Sequence, residues 1–292
     1  MSAEVQINAG LGITEAFRLL TGLLAENKIS QAEAEARVLL LAATQMSRAQ
    51  LITQSDRIIS TSEADVLSVW ITRRLAGEPV TRITGRRDFW TLDLRVTPDV
   101  LDPRADSEVI IETTLDLLGA RRNDNLRILD LGTGTGALLL ALLSECPQAT
   151  GVGIDLSPAA CAVAQDNGQR NGLAARATFQ QGHWADALNE TFDLVLSNPP
   201  YIETATIAGL DTEVRDHDPM LALDGGPDGL TAYRAIIKDL PRLLRPSGLC
   251  VLELGIGQAG AVTALAEAAG LAQKALRRDL GGVERALALA WP

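Results

Sequence analysis

An apolar strand that runs directly into a turn of alternating glycines is the feature that most constrains the fold of this chain. Residues 127–131 read Arg-Ile-Leu-Asp-Leu, and residues 132–136 read Gly-Thr-Gly-Thr-Gly before an apolar helix begins at Ala137. Glycines let a backbone turn tightly and approach a ligand, and the N-terminus of the next helix offers unpaired N–H groups. The spacing is neither the dinucleotide pattern G-x-G-x-x-G nor a P-loop. It predicts a strand–turn–helix unit that binds a different ligand.

Strands and helices alternate from about residue 104 onward. Further strands are predicted at residues 150–154, 177–180, 193–197 and 249–254, and residues 285–291 alternate weakly, as a last strand would. Helical stretches separate most of them, which favours an α/β domain with a mainly parallel sheet over residues 103–292. Residues 1–82 show helical periodicity, and residues 83–102 alternate like a short β-hairpin. We therefore predict a helical domain, a hairpin connector and an α/β domain.

Charge and cysteine content argue against several classes of protein. The 292 residues include 26 basic and 37 acidic side chains, a net charge of -11, which gives no general attraction for nucleic acid or anionic membranes. Three cysteines without a C-x-x-C pair, and two histidines, argue against a disulfide framework or a metal cluster. No signal peptide and no membrane-spanning stretch is visible. We expect a cytoplasmic protein with no metal, no membrane contact and no stable nucleic-acid partner.

An acidic residue, Asp155, follows the second predicted strand of the α/β domain, nineteen residues after Gly136. A carboxylate at this place can accept both hydroxyls of a ribose, which could belong to NAD or to S-adenosylmethionine (SAM). The glycine spacing together with Asp155 resembles SAM methyltransferases. Trp184, after the third predicted strand, could stack beside an adenine ring, and the alternative is an ordinary core tryptophan.

The fourth predicted strand ends in Asn198-Pro199-Pro200-Tyr201. The prolines fix φ at about −65° and remove two N–H groups, so the loop is stiff and offers acceptors without competing donors. Such a loop suits the methylation of a planar –NH₂ group, whose lone pair is delocalised. The Asn198 side-chain oxygen and the Pro199 carbonyl would accept the two N–H groups, and Tyr201 would pack on the planar substrate. We expect the rate to come largely from positioning.

These residues resemble the PrmC/HemK family, the peptide chain release factor glutamine methyltransferases. The likeness covers nearly the whole chain and includes Gly77-Glu78-Pro79-Val80, Pro103-Arg104-Ala105-Asp106-Ser107-Glu108, Leu223 to Leu230 and Leu252-Glu253-Leu254-Gly255. It implies a Rossmann-like class I SAM methyltransferase domain behind a small helical domain that helps dock the release factor. It also implies methyl transfer from SAM to the side-chain nitrogen N5 of the glutamine in a Gly-Gly-Gln motif, with S-adenosylhomocysteine as the second product.

The resemblance assigns roles to individual residues. SAM would be bound by Gly132, Thr133, Gly134, Thr135, Gly136, Asp155, Trp184 and Asn198. The substrate slot and the catalytic group would be formed by Asn198, Pro199, Pro200 and Tyr201. The chain departs from the family pattern at Asp102, Ala105, Ser107 and His217-Asp218-Pro219. These departures predict looser loops around the site.

Other functions share parts of this pattern. An adenine N6-methyltransferase for DNA or RNA uses the same Asn-Pro-Pro logic, but such enzymes need a target-recognition region and a basic face. Residues 83–292 instead carry 18 basic and 28 acidic side chains. A methyltransferase of another protein amide, or of ribosomal components, remains an alternative. A protein that binds SAM without catalysis is an alternative outside the enzymes. The intact Asn198-Pro199-Pro200-Tyr201 motif argues against it.

Overall fold

Helices make up the first of two compact units in the computed structural model, which describes residues 5–292. They are α1 (Ile13–Glu26), α2 (Ala32–Thr44), α3 (Arg48–Thr53), α4 (Thr61–Leu75) and α5 (Val80–Thr84). The Ser60 hydroxyl accepts from the Glu63 N–H, and the Glu63 side chain accepts from the Ser60 N–H, so a capping box begins α4. Leu20 and Leu39 lie in a shared apolar core. The predicted helical character of this region is confirmed.

A β-hairpin opens the second unit, which runs from Arg86 to Pro292. Its two antiparallel strands are β1 (Arg86–Phe89) and β2 (Leu92–Arg95). The side chain of Asn167 accepts from the Arg95 N–H at 2.7 Å and donates to the Arg95 carbonyl at 3.1 Å, which holds β2 in place. The boundary between the units falls after Gly85, so the hairpin groups with the α/β unit. The three predicted domains, and the docking role of the helices, remain predictions.

Seven strands form one mainly parallel sheet within residues 86–292. They are β3 (Arg127–Leu131), β4 (Thr150–Asp155), β5 (Ala177–Gln181), β6 (Phe192–Ser197), β7 (Leu244–Glu253), β8 (Ala272–Arg278) and β9 (Glu284–Ala290). The order across the sheet is β5-β4-β3-β6-β7-β9-β8. β9 runs antiparallel to both of its neighbours, and the other neighbouring pairs are parallel. The predicted α/β class and its mainly parallel sheet are confirmed.

Helices of the second unit pack on both faces of this sheet. They are α6 (Glu108–Leu118), α7 (Ala137–Glu145), α8 (Pro158–Arg170), α9 (Thr212–Arg215), α10 (Met220–Leu223), α11 (Thr231–Leu243) and α12 (Ala259–Ala268), with 3-10 helices at Ala105–Ser107, Gly119–Asn123 and Thr204–Gly209. Ile128 of β3 packs in one apolar core with α6 and α7, whereas Leu129 packs in a second core with α11 and α12. Burial on both faces is typical of parallel strands between helices. Within residues 5–292, no helix combines the length and apolarity needed to cross a membrane.

Two strands differ from their predictions. β7 begins at Leu244, five residues before the predicted start, because Leu244 already pairs with Phe192 of β6. β8 was absent from the predictions. It lies at the sheet edge, and none of its residues is fully buried. An edge strand with exposed charges lacks the apolar alternation by which strands are recognised.

Candidate active site

The carboxyl ends of four neighbouring strands, β4, β3, β6 and β7, lie side by side at one edge of the sheet. A cavity of about 560 Å³ lies at this edge, where open parallel sheets bind their ligands. Eight of the eleven predicted site residues line it: Gly132, Thr133, Gly134, Thr135, Asp155, Trp184, Asn198 and Pro200. The other three, Gly136, Pro199 and Tyr201, are not among the described residues that line it.

The glycine turn is tied to the end of β4. The backbone N–H groups of Gly132 and Thr133 donate to the Ile154 carbonyl at 2.8 and 3.0 Å. The Gly134 N–H donates to Oδ2 of Asp155 at 2.9 Å, and the Ser157 N–H donates to Oδ1 at 2.9 Å. The carboxylate of Asp155 is therefore held at the cavity wall by one backbone donor on each oxygen.

Gly136 lets the end of the glycine turn pack closely against neighbouring side chains. It is the N-cap of α7 with φ at +80°. A Cβ at this position would lie 3.2 Å from side-chain atoms of Leu140, Ala164 and Phe179. The absence of a side chain thus lets α7 begin close against its neighbours, which is a structural requirement rather than a ligand contact.

The cavity fits the methyl donor that the sequence implies. A carboxylate has about four lone-pair positions, and the two backbone donors leave positions on Asp155 for ribose hydroxyls. Nothing lies within 4 Å of a Cβ built on Gly134, so the backbone there is open to a ligand. The Trp184 ring lies 3.5 Å from a Cβ built on Gly132, which places an aromatic ring beside the turn. These residues together match a nucleoside with a ribose and a planar base.

Asp130 is among the residues that line the cavity and is almost fully buried. Burial raises the pKa of its carboxyl to about 7, and the Thr133 hydroxyl, which donates to Oδ2 at 2.6 Å, acts in the opposite direction. The nearby Asp155 adds to the increase in the pKa. The side chain thus positions Thr133 and titrates close to neutral pH.

The Asn-Pro-Pro-Tyr loop is anchored through its backbone. The Ile202 N–H donates to the Leu223 carbonyl at 3.0 Å, and the Gln258 side chain donates to the Tyr201 carbonyl at 2.9 Å. A Cβ on Gly225 would lie 2.8 Å from the Tyr201 backbone, and one on Gly229 would lie 2.5 Å from the Tyr201 carbonyl. The loop is therefore packed so closely against Gly225 and Gly229 that neither position has room for a side chain.

Polar contacts surround the side chains of Asn198 and Tyr201. Nδ2 of Asn198 donates to the Ser107 hydroxyl at 3.3 Å, and the Tyr201 hydroxyl donates to Oε1 of Glu253 at 3.3 Å. Burial raises the pKa of Glu253 to about 7, opposed by the positive charge of Arg285 and by the hydrogen bond from Tyr201. Burial also raises the pKa of the Tyr201 phenol. The amide oxygen of Asn198 is left as the acceptor that a substrate would meet.

Asp102, one of the departures from the family pattern, forms part of an ion cluster. Nη2 of Arg104 donates to Oδ2 of Asp218 at 2.5 Å, and Nη1 lies 3.5 Å from Oδ2 of Asp102. The Asp102 N–H also donates to Oδ1 of Asp218 at 3.3 Å. Both carboxylates are buried. Asp102 and Asp218 therefore tie two loops beside the site together, and the expectation that the departures from the family pattern loosen these loops stays a prediction.

Ser107, Glu253 and Arg104 were not predicted as site residues. All three lie in segments that carry the family resemblance, so the motif match did single out their positions. Their roles depend on contacts between residues far apart in the chain, for example 91 residues between Ser107 and Asn198. Spacing within a local motif holds no information about such contacts.

Two family models match this chain. The model of the PrmC N-terminal domain matches residues 15–85, and the model of a methyltransferase domain matches residues 122–275. The second match covers the glycine turn, Asp155 and Asn198.

Curated relatives match over nearly the full length. A protein of Rhodospirillum rubrum is 46% identical over 253 residues, which cover 87% of this chain and 77% of the relative. One of Bradyrhizobium diazoefficiens is 44% identical over 280 residues, or 95% and 94% of the two chains. One of Caulobacter vibrioides is 41% identical over 276 residues, or 94% and 95%. All three are named release factor glutamine methyltransferase.

Proposed function

Because the chain belongs to the family of release factor glutamine methyltransferases, we propose that it transfers a methyl group from SAM to N5 of the glutamine in the Gly-Gly-Gln motif of peptide chain release factors. The observation that carries this proposal is the place of Asn198. It lines the cavity at the end of β6, and its amide nitrogen is already engaged by Ser107. The amide oxygen is then the group that meets a substrate N–H.

Residues of the glycine turn and of β4 would hold the methyl donor. Asp155 would accept the ribose hydroxyls, residues 132–135 would lie against the remainder of the molecule, and Trp184 would stack on the adenine. Bound SAM supplies a methyl group on a positively charged sulfur. Each charge-assisted hydrogen bond from a ribose hydroxyl to Asp155 would contribute roughly 1.5–3 kcal/mol to binding.

The loop of Asn198, Pro199, Pro200 and Tyr201 would hold the target amide. Oδ1 of Asn198 and the Pro199 carbonyl would each accept one N–H of the glutamine side chain, which orients the nitrogen and favours its rehybridisation. The same two acceptors face the positive charge that develops on this nitrogen, so no strong base is required before transfer, and one N–H proton leaves to solvent after the nitrogen has accepted the methyl group. Tyr201 and the ring of Pro199 would in addition shape and back this slot.

The remaining proposals concern the partner protein of this enzyme and the place where it works. We expect the Gly-Gly-Gln-containing domain of the release factor to be the partner, with the helical unit before Gly85 helping to dock it. Such an enzyme works in the cytoplasm, where translation takes place. The net charge of -11 favours a protein substrate over a stable nucleic-acid partner.

Mass spectrometry of a purified release factor, after incubation with this protein and SAM, tests the proposal. The control is the same factor with the glutamine of its Gly-Gly-Gln motif changed to alanine. One added methyl group on that glutamine, absent from the control, is the expected result. An unmodified factor, despite measurable SAM binding, would contradict the proposal, and unmethylated DNA and ribosomes would then be the next substrates.

A further inference from the structure

The large apolar side chains that stay exposed in the second unit share one location. Within residues 86–292 there are five of them: Leu156, Met220, Leu221, Ile256 and Leu280. Leu280 is fully exposed, and Ile256 is 76% exposed. Single exposed apolar side chains are ordinary on a protein surface, so the arrangement of these five carries the information.

Four of the five lie in loops that follow the carboxyl ends of parallel strands. Leu156 comes directly after β4, and Ile256 comes shortly after the end of β7. Met220 and Leu221 form part of α10, which lies between the end of β6 and the start of α11. These loops surround the edge of the sheet at which the cavity lies.

The turn that holds Leu280 lies at the same edge. It connects β8 with β9, and β9 runs antiparallel to β7, so that Ala286 near the start of β9 pairs with Glu253 at the end of β7. The Leu254 N–H also donates to the Arg285 carbonyl at 2.8 Å. All five side chains therefore lie at the carboxyl edge of the sheet, and we call them the apolar rim.

The apolar rim continues from the cavity onto the outer surface. Leu156 and Leu221 line the cavity, whereas Met220, Ile256 and Leu280 are not among the described residues that line it. The residue before Ile256 is packed on the Asn-Pro-Pro-Tyr loop, because a Cβ on Gly255 would lie 3.0 Å from the Tyr201 ring. The rim thus extends beyond the part of this edge that a ligand in the cavity covers.

The segment that carries the two exposed side chains of α10 is fixed at both ends. Before it, the buried carboxylate of Asp218 accepts from Nη2 of Arg104 at 2.5 Å. After it, Oδ1 of Asp224 accepts from the Thr204 hydroxyl at 2.6 Å. A surface held in this way loses little conformational freedom when a partner covers it.

We propose that the apolar rim is the surface on which the substrate protein docks, through an apolar patch of that protein next to its target glutamine. This inference rests on the proposed function, because it names where the release factor meets the second unit. A glutamine side chain is short, so its amide reaches Asn198 only when the protein that carries it lies over the loops at the carboxyl edge. Those loops hold the rim.

Charge describes the surroundings of the partner's patch. Residues 201–230, which include Met220 and Leu221, carry seven acidic side chains and one basic side chain. Glu203 and Asp211 of this segment are exposed. Complementary potentials favour a partner with basic groups around its apolar patch. Association between such surfaces weakens as the salt concentration rises.

Serine substitutions at the three rim residues outside the cavity test the inference: Met220→Ser, Ile256→Ser, Leu280→Ser and the triple variant. These side chains are exposed, so their loss should leave the melting temperature nearly unchanged. The matched control is Gln148→Ser, which shortens an exposed side chain in the turn before β4, at the opposite edge of the sheet. The measurements are kcat and KM for the release factor, its Kd with S-adenosylhomocysteine present, the Kd of SAM, and sedimentation.

We expect each single change to raise KM and Kd for the release factor at least about threefold, and the triple change at least about tenfold, because burial of apolar surface is lost. At saturating release factor, kcat should stay within about twofold of the wild-type value, and so should the Kd of SAM. Gln148→Ser should match the wild type throughout. Raising the salt concentration from about 0.05 to 0.3 M should increase the wild-type KM.

An unchanged KM in the triple variant, a loss confined to kcat, or an equal rise of KM in Gln148→Ser would overturn the inference. A second copy of this chain is the rival occupant of the rim. A wild-type dimer that becomes monomeric in the triple variant, with the same KM, would therefore overturn it too. A KM insensitive to salt would contradict the basic groups proposed around the partner's patch. Failure of the proposed function is separate, because then the wild-type protein itself leaves the glutamine unmethylated.

Discussion

The backbone N–H of Gly134 donates to Oδ2 of Asp155 over 2.9 Å, which joins the glycine turn and the end of β4 in one wall of the cavity. The Ser157 N–H occupies the other carboxylate oxygen at the same distance. Asp155 is thus oriented by the backbone on both sides before any ligand arrives. Preorganisation of this kind reduces the entropy cost of binding.

Asp155→Asn should weaken SAM binding by about 10–100-fold, because one oxygen that accepts hydrogen bonds becomes a donor. At saturating SAM, kcat should change less than about threefold, since the contact proposed for Asp155 is with the ribose, far from the transferred methyl group. Titration calorimetry and methylation assays at high SAM measure the two effects. The exposed Asp186→Asn is the control, and an unchanged Kd in Asp155→Asn would contradict the assignment.

Asn198→Ala should lower kcat by a factor of order 10²–10³, as the removal of one preorganised polar contact to the reacting group does. The Kd of SAM should stay within about threefold of the wild-type value. Asn189→Ala, an exposed position on the loop before β6, is the matched control. Near-full turnover in Asn198→Ala would show that another group orients the amide.

Alanine at Gly136 and at Gly134 should affect different properties. At Gly136 the new Cβ meets three side chains at 3.2 Å in addition to the cost of φ at +80°, so unfolding should become easier by roughly 2–4 kcal/mol. At Gly134, with φ at +54° and open space around it, only the backbone cost of about 1–2 kcal/mol applies. Thermal unfolding and SAM titration distinguish them: Gly136→Ala should lose more stability, and Gly134→Ala more affinity. Equal melting temperatures would count against this division.

Stability should depend on pH through Asp130. Its pKa is raised to about 7 by burial, whereas in the unfolded chain an aspartate titrates at about 4. Between these values the folded state binds more protons than the unfolded state, so the free energy of unfolding falls as pH rises.

The variant Asp130→Asn isolates this contribution, because its amide oxygen still accepts from Thr133 while the charge is lost. Between pH 5.5 and 8.5 the wild-type protein should lose about 2 kcal/mol of stability relative to the variant. Only the roughly 1.5 pH units between pH 5.5 and the folded-state pKa contribute to this loss, because Asp130 is ionised in both states above that pKa. Chemical denaturation of both proteins at the two pH values measures the difference. Parallel pH dependences would mean that Asp130 is ionised in the folded protein at both.

Local patterns were sufficient for the parts of the site that follow directly from one strand. Asp155 and Asn198 each lie at the end of a recognisable apolar run, and parallel strands bring their carboxyl ends to one edge. The sheet class follows from the same alternation of strands and helices. Cavity-lining positions along residues 132–135 could therefore be predicted without a structure.

Contacts between distant segments were beyond the reach of such patterns. The position of Tyr201 shows this, because its hydroxyl donates to Glu253, 52 residues away, and its ring packs beside the core under α11 and α12. Its packing on the substrate therefore stays a prediction. Gly136 has the same glycine spacing as Gly134, yet its neighbours are core side chains that only the folded chain brings there.

Gly225 and Gly229 impose a constraint on how this sequence can evolve. Any single-base change of a glycine codon that keeps the chain intact and alters the residue adds a side chain, and here a Cβ would meet the backbone of Tyr201. Neither glycine is among the described residues that line the cavity. In a saturation library selected for activity, both positions should nevertheless be as depleted of variants as Asn198. The positions that tolerate no substitution would then include those packed against the backbone of the loop, and not only those that line the cavity.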